Sequence, residues 1–357
     1  MTYLIAAAGT GGHVFPGLAV GEALVDLGVD RDSVLFVGGD RMEASVYPDA
    51  GFPFLQLELR GLKRSLSPRN LGLPRMVWRA RDAIGGAIRG RGVKVALGMG
   101  GYVTLPAAMA ARRAGTTLFI AEQNAGAGLA NRIASRWASH AFVSFPETDG
   151  LPSGEWVGNP VRRPMADFDR EALRLEAGAR YGIDPGKPVL GVLGGSLGAG
   201  ILNRAAVEIA TSWSGPPLCL VHLTGRGNVA DDGHEADGVG WHQVEFEDRM
   251  ELFYAICDLV IARAGGGVAE LTATGTPSIL VPGEFGSSGH QKANAEFLRG
   301  AGAAILVPEE QIDDIASVVA RTLFDPDALK AMRRGAEGIA KPDAAARIAS
   351  TMVEVAR

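Results

Sequence analysis

Two stretches of this chain share one pattern, and together they limit what it can fold into. Leu4–Val20, LIAAAGTGGHVFPGLAV, is an apolar run that ends in the glycine turn Gly9-Thr10-Gly11-Gly12-His13 and continues into an apolar-periodic segment. That segment, Leu18 to Leu27, reads as a helix with Pro16 at its start. Val189–Asn203, VLGVLGGSLGAGILN, repeats the order of strand, glycines and helix. Glycines let the backbone approach an anion, and the uncapped N–H groups of a helix start point at it. One such unit is common in α/β proteins. Two of them predict two similar α/β halves, each with a phosphate-sized loop facing one cleft.

Composition agrees with two cores. The chain has 357 residues, 47% of them apolar, and 49 glycines gathered in turns rather than repeats. The net charge of −5 argues against general nucleic-acid binding. Cys219 and Cys257 lie in apolar runs and read as buried thiols, and no Cys/His spacing suggests zinc. The N-terminus enters LIAAA directly, so no signal peptide is expected, and no apolar run reaches the roughly 18–20 residues that span a bilayer.

Strands and helices alternate along the whole length, which predicts parallel sheets. In the first half the expected strands are Ser33–Gly38, Phe54–Leu59, Val93–Leu97, Thr117–Ala121 and Ala141–Ser144, with helices over Leu105–Ala114 and Gly126–Ala138. Glu155–Pro164 has little periodicity and reads as the hinge. In the second half the expected strands are Leu190–Leu193, Leu218–Leu223, Trp241–Phe246, Leu259–Ala262, Ser278–Val281 and Ala304–Val307. Between Arg60 and Lys94 this acidic chain gathers ten basic residues and one acid, Asp82, interleaved with Leu71, Leu73, Met76, Val77 and Trp78. Such a segment suits an anionic membrane surface or a diphosphate-bearing acceptor; a solvated helix face with acids supplied from elsewhere is the plainer alternative.

Several residues carry the chemistry that these loops need. Gly9–Gly12 and Gly194–Gly198 with Ser196 offer anion contacts, or only tight packing. Arg263, at a strand end beside three glycines, offers a full positive charge to a phosphate or pairs with a carboxylate. Glu270 falls near the next helix start, where a carboxylate can accept two sugar hydroxyls or simply complement the helix dipole. Asn124 and Gln291 suit hydroxyls or an amide, or serve as ordinary caps. His13 reads either as a general base, with an ordinary pKa near 6.5, or as a hydrogen-bond donor to phosphate. Gly98-Met99-Gly100-Gly101-Tyr102 is a third glycine turn.

GTGGHVFPGLAV, DRMEA at 40–44, LGMGGYV at 97–103, EQNAGAGLANR at 122–132, VGNPVR at 157–162, GGSLGA at 194–199 and DRMELFYAICDLVIARAGGG at 248–267 occur in one unbroken order. So do VAELTATGTPSILVP at 268–282 and HQKANAEFL at 290–298. With these motifs, nearly end to end, the chain resembles the bacterial MurG family of N-acetylglucosaminyltransferases. The resemblance implies a GT-B fold, two Rossmann-like parallel-sheet domains separated by a cleft. It places an acceptor domain at 1–160, a UDP-GlcNAc-binding domain at 161–342 and a last helix, 343–357, that packs back on the first domain. It implies inverting transfer of GlcNAc from UDP-GlcNAc to lipid I, giving lipid II for peptidoglycan, at the cytoplasmic face of the membrane, without an active-site metal or other cofactor and without nucleic acid. Other cell-wall enzymes are implied as protein partners. The alternatives are a GT-B enzyme with another acceptor and a catalytically silent membrane-associated scaffold.

Residue by residue, the resemblance gives the diphosphate of the donor to Ser196, Gly198 and Arg263, and the GlcNAc hydroxyls to Glu270 and Gln291. It adds Thr10, Gly11, Asn124 and Arg162 to the donor site. Gly9, Gly12, Gly100, Gly101, Tyr102 and His13 face the lipid diphosphate; of the residues themselves, His13 is the first choice for the base. Leu197 stands where the family usually has Gln, Glu247 where an apolar residue often lines the uracil pocket, and the Arg263–Glu270 segment is one residue short, with Ala264 where Ser is common.

Overall fold

The computed structural model describes residues 1–59, 72–195, 198–229, 235–283 and 289–357. Unit 1 comprises Met1–Arg162 with Pro342–Arg357, and unit 2 comprises Arg163–Lys341.

Unit 1 contains β1 (Thr2–Ala6), α1 (Gly11–Asp26), β2 (Val34–Gly38), α2 (Glu43–Asp49), β3 (Phe54–Gln56), α3 (Leu73–Arg91), β4 (Val93–Gly98), α4 (Thr104–Ala114), β5 (Thr117–Glu122), α5 (Leu129–Ala134), β6 (His140–Val143) and β7 (Glu155–Trp156). Among the described residues its strands form one parallel sheet in the order β3-β2-β1-β4-β5-β6-β7. The strands are short apolar runs because both sheet faces are covered. Leu4, Leu35 and Ala96 face a core closed by Ala80, Ile84 and Ile88 of α3 and by α4. Tyr3, Ile5, Phe36 and Val95 face the opposite core, built with Val14, Leu18 and Leu24 of α1.

Unit 2 contains α6 (Arg163–Ala166), α7 (Arg170–Tyr181), β8 (Val189–Leu193), α8 (Gly200–Ser212), β9 (Leu218–Leu223), β10 (Val239–Val244), α9 (Met250–Ile256), β11 (Leu259–Ala262), α10 (Val268–Ala273), β12 (Ser278–Leu280), α11 (His290–Gly300), β13 (Ala304–Leu306), α12 (Ile315–Leu323) and α13 (Pro326–Ile339). Its strands are again all parallel, ordered β10-β9-β8-β11-β12-β13. The last helix, α14 (Ala344–Ala356), lies in unit 1, where Ile348, Ala349 and Met352 are fully buried in the core shared with α1.

In each sheet the winding reverses once, between β1 and β4 and between β8 and β11. Ligands of open α/β sheets bind outside the carboxyl ends of the strands at such a reversal. The loops there are Ala7–Thr10 and Met99–Val103 in unit 1, and 194–199 and 263–267 in unit 2. Each of the four carries glycines singled out from sequence.

Three local expectations need correction. α1 starts at Gly11, seven residues before the expected Leu18, because Thr10 is extended and its carbonyl accepts the N–H groups of His13 and Val14 at 3.0 and 3.1 Å. Gly11, Gly12 and His13 are thus the first helical turn, and Pro16 sits inside the helix, where it lacks the N–H that would otherwise reach the Gly12 carbonyl. The expected strand Phe54–Leu59 pairs only as far as Gln56. The expected helix Gly126–Ala138 shrinks to Leu129–Ala134, because Ala127 N–H bonds the Asp149 carbonyl and Gly128 N–H bonds Glu122, which holds the preceding turn open. Of the basic stretch, residues 60–71 lie outside the described residues; the remainder is the helix α3, with Arg75, Arg79, Arg89 and Trp78 on its exposed face.

The docking of α14 is carried by apolar burial. Ile348→Ala is expected to destabilise unit 1 by about 2–5 kcal/mol, read as an earlier transition in urea denaturation of the full chain.

Candidate functional site

In unit 1 the site is built on four strand ends. Thr10 caps α1 without giving its side chain to the helix backbone; its Oγ1 lies 3.1 Å from His13 Nδ1 instead. The N–H groups of Gly11 and Gly12, at the helix start, have no intrahelical acceptor. Helix-start N–H groups of this kind can donate to an anion. Gly9 N–H is different. It already points at Glu43 Oε2, 3.4 Å away.

Across the sheet reversal, Gly100 and Gly101 both have positive φ, 90° and 73°. A Cβ on Gly100 would stand 2.9 Å from His13 Nε2 and 3.3 Å from Gln123 Oε1, and one on Gly101 would stand 2.6 Å from the Ala8 carbonyl oxygen. Only glycine allows the β4 loop to lie this close to the β1 loop. Tyr102 donates its hydroxyl to Glu43 Oε1 at 3.1 Å, and burial, reinforced by the Glu43 charge, raises its pKa well above the ordinary value. His13 is pushed the other way. Burial lowers its pKa below 6.5, opposed by the charges of Glu122 and Glu43, so the imidazole is neutral near pH 7.

Asn124 is held by its neighbour. Its N–H and Nδ2 bond Glu122 Oε1 at 3.1 and 3.2 Å, while Glu122 Oε2 accepts from Gly128 N–H and Asn131 Nδ2 at 3.0 and 2.8 Å. Arg162, the last residue of unit 1's first segment, lies with its guanidinium carbon 5.3 Å from the Phe15 ring centroid, over the face of α1. Two buried carboxylates, Glu43 and Glu122, therefore set the loops of this unit. Neither was chosen from sequence as a site residue. The available signal was an acid at the first position of the helix after β2 and an acid at the last position of β5.

In unit 2, Ser196 and Leu197 lie outside the described residues. Gly198 has φ 74°, and a Cβ there would stand 2.2 Å from the Thr224 carbonyl oxygen. The same carbonyl accepts Asn203 Nδ2 at 2.9 Å, and Asn203 Oδ1 meets His222 Nε2 at 3.1 Å, so the loop is clipped to the end of β9.

Arg263 donates Nη1 to the Val281 carbonyl at 3.1 Å and pairs with Glu309. The carboxylate alternative for this residue is thus what the structure displays, and it fixes the guanidinium at the end of β11. Gln291 Oε1 accepts Gly283 N–H at 2.8 Å, and a Cβ on Gly283 would touch both Arg263 and Gln291, so those two side chains share one corner. Glu270 is the third residue of α10, and its Oε2 accepts the hydroxyl of buried Tyr254 at 2.9 Å. Glu247 does not face outward. Its carboxylate is fully buried against Arg180, with both oxygens at 2.8 Å, and also accepts Tyr181 Oη and Arg249 N–H. Among the described residues no group of three or more His, Cys, Asp or Glu is placed to hold a metal ion.

The His222 ring is buried, which lowers its pKa to about 4. The unfolded chain binds this proton near pH 6.5 and the folded chain does not, so stability falls as pH drops from about 6.5 to 4, by up to roughly 3 kcal/mol. Denaturation of the full chain across that range is expected to show this slope, flattened in His222→Gln.

Comparison with known proteins fits this geometry. Residues 3–143 match the glycosyltransferase family 28 N-terminal domain, and residues 189–348 match its C-terminal domain. The chain is 40% identical to a protein of Halorhodospira halophila over 99% of this chain and 98% of the relative, and 38% identical to one of Clavibacter sepedonicus over 97% and 94%. Both relatives are UDP-N-acetylglucosamine–N-acetylmuramyl-(pentapeptide) pyrophosphoryl-undecaprenol N-acetylglucosamine transferases. Among solved structures, MurG of Acinetobacter baumannii aligns with a TM-score of 0.76 and 26% identity, covering 99% of this chain and 100% of that one. A kitacinnamycin glycosyltransferase aligns with a TM-score of 0.69 at 16% identity over 100% and 99%, a likeness of fold alone.

Proposed function

The chain belongs to glycosyltransferase family 28, with the GT-B fold, and from that premise we propose that it transfers GlcNAc from UDP-GlcNAc to undecaprenyl-diphospho-N-acetylmuramyl-pentapeptide. The observation that carries this reading is the near full-length identity of 35–40% to transferases of that activity, together with glycine loops at the reversal of both sheets.

Unit 2 takes the donor. The loop at 194–198 with Ser196, and the start of α8, supply N–H and hydroxyl donors to the diphosphate. Arg263, held by Glu309 and the Val281 carbonyl, adds a fixed positive charge. Glu270 and Gln291 accept sugar hydroxyls of the donor. Glu247, turned inward onto Arg180, leaves base recognition to main-chain groups of its loop.

Unit 1 takes the acceptor. The Gly12 N–H and the turn at Gly100–Tyr102 receive the lipid diphosphate, while Thr10, Gly11, Asn124 and Arg162 complete the donor site from this side. In the tautomer whose Nδ1–H is donated to Thr10 Oγ1, the His13 lone pair lies at Nε2, on the Gly100 side. The acceptor hydroxyl gives its proton to His13 Nε2 while its oxygen forms the bond to the anomeric carbon. The bond from that carbon to the diphosphate oxygen breaks from the opposite face, which inverts the centre, and its electron pair leaves with UDP. The negative charge that grows on UDP is met by donors already in place. The imidazolium that forms is favoured by the charges of Glu122 and Glu43.

The exposed cations of α3 suit an anionic membrane surface. Arg75, Arg79 and Arg89 have no carboxylate at ion-pair distance among the described residues, and Arg81 stacks on half-exposed Trp78 at 4.0 Å. Among the described residues no helix is long and apolar enough to cross a membrane. The exposed cations of α3 support attachment at the face where both UDP-GlcNAc and the acceptor headgroup are present.

Purified protein is expected to release UDP from UDP-GlcNAc only when a lipid I analogue is added, and absence of transfer by folded, donor-binding protein would remove this assignment. His13→Ala is expected to lower kcat about 10²–10⁴-fold while donor affinity, measured by calorimetry, is retained.

A further inference from the structure

Glu43 has no part in the assignment above beyond its charge on His13, yet this one buried acid accepts hydrogen bonds from three separate loops of unit 1. It is the first residue of α2 and is 0% exposed. Its Oε1 accepts Gly39 N–H at 3.0 Å and Tyr102 Oη at 3.1 Å, and its Oε2 faces Gly9 N–H at 3.4 Å. Those three donors sit on the loops that follow β2, β4 and β1, three neighbours in the sheet. Among the described residues no lysine, arginine or histidine pairs with the carboxylate. Burying an unpaired carboxylate costs several kcal/mol unless hydrogen bonds replace its water. The surrounding sequence leaves room for this one arrangement: a Cβ on Gly38 would stand 2.7 Å from Glu43 Cγ, and one on Gly39 would stand 2.2 Å from Tyr102 Oη.

We propose that Glu43 is a positioning residue for the acceptor: its carboxylate ties the β1, β2 and β4 loops into the one arrangement in which Gly9, Gly12 and Gly100–Tyr102 hold a lipid-linked diphosphate beside His13. The inference rests on unit 1 being the acceptor half. Its physical core is the number of acceptors. A carboxylate offers lone pairs on both oxygens, so it serves Gly9 on one side and Gly39 with Tyr102 on the other. A glutamine keeps one acceptor oxygen and turns an NH2 group toward a second donor. Glu43→Gln therefore sets two donors face to face, releases the Gly9 or the Gly39–Tyr102 side, and removes a negative charge that faces His13. The other charged or polar groups about these two residues stay in place: Glu122 at the end of β5 and Thr10 for His13, and Arg41 and Asp40 for Tyr102.

The test is steady-state kinetics of the full chain with UDP-GlcNAc and a soluble lipid I analogue. For Glu43→Gln the acceptor KM is expected to rise about tenfold or more, while the UDP-GlcNAc KM stays within about twofold of wild type. The acid limb of the kcat/KM profile should also move to lower pH, because the charge lost had favoured protonated His13. Tyr102→Phe removes one donor and keeps the carboxylate; it should raise the acceptor KM less and leave the acid limb where it is. That variant keeps the test decisive if Glu43→Gln does not fold. An unchanged acceptor KM in both variants, or equal rises in both substrates' KM with a fixed pH profile, overturns the role of Glu43 while wild type still transfers. Wild type that binds UDP-GlcNAc but does not transfer overturns the functional reading instead.

Discussion

Every strand of a parallel sheet ends on the same edge, and at one place in each sheet the crossovers on either side leave for opposite faces. That reversal, between β1 and β4 and between β8 and β11, is the constraint on which the rest of this structure depends. Such a reversal leaves a crevice outside the strand ends, where N–H groups at helix starts can meet a ligand. The same openness demands that two loops approach each other without side chains between them. Gly100 and Gly101 meet that demand in unit 1, where any Cβ would collide with His13 or with the Ala8 carbonyl. Gly198 meets it in unit 2 against Thr224.

Loops made of glycine are costly to fix, since glycine loses the most backbone freedom on folding. Buried polar side chains hold them. Glu122 gathers Asn124, Gly128 and Asn131, Glu43 gathers Gly9, Gly39 and Tyr102, and Asn203 with His222 clips the loop before α8. These contacts also shape the electrostatics. At rest, burial outweighs the two nearby carboxylates and leaves His13 neutral, able to accept a proton. Once it has done so, the same carboxylates favour the charge. In unit 2, Glu309 and the Val281 carbonyl fix the Arg263 guanidinium, which trades part of its free charge for a set orientation.

Much of this was legible along the chain. The apolar runs ending in glycine gave the strands and the four loops of the reversal, because period and turn chemistry are local properties. Boundaries were less legible. The start of α1 is hidden because GTGGH reads as a turn, while the Thr10 carbonyl in fact begins the helix at the next residue, Gly11. The helix expected over Gly126–Ala138 failed because Glu122 claims Gly128 N–H. Glu43 went unremarked inside DRMEA, since nothing in five residues shows that an acid will be buried under loops from three strands. Glu247 looked like a loss in a base pocket, and the fold turns it inward onto Arg180 and Tyr181.

The sequence by itself determined two α/β halves, the family they belong to, the glycine loops and the cationic helix face, because each is written in neighbouring residues and their spacing. Tertiary structure decided which donors are spent and which remain, that Arg263 has a carboxylate partner, that His13 is neutral, and that Glu43 binds three loops together. Those outcomes depend on burial and on contacts between residues dozens of positions apart, and a hydrogen bond exists only once the sheet has brought its two ends within reach.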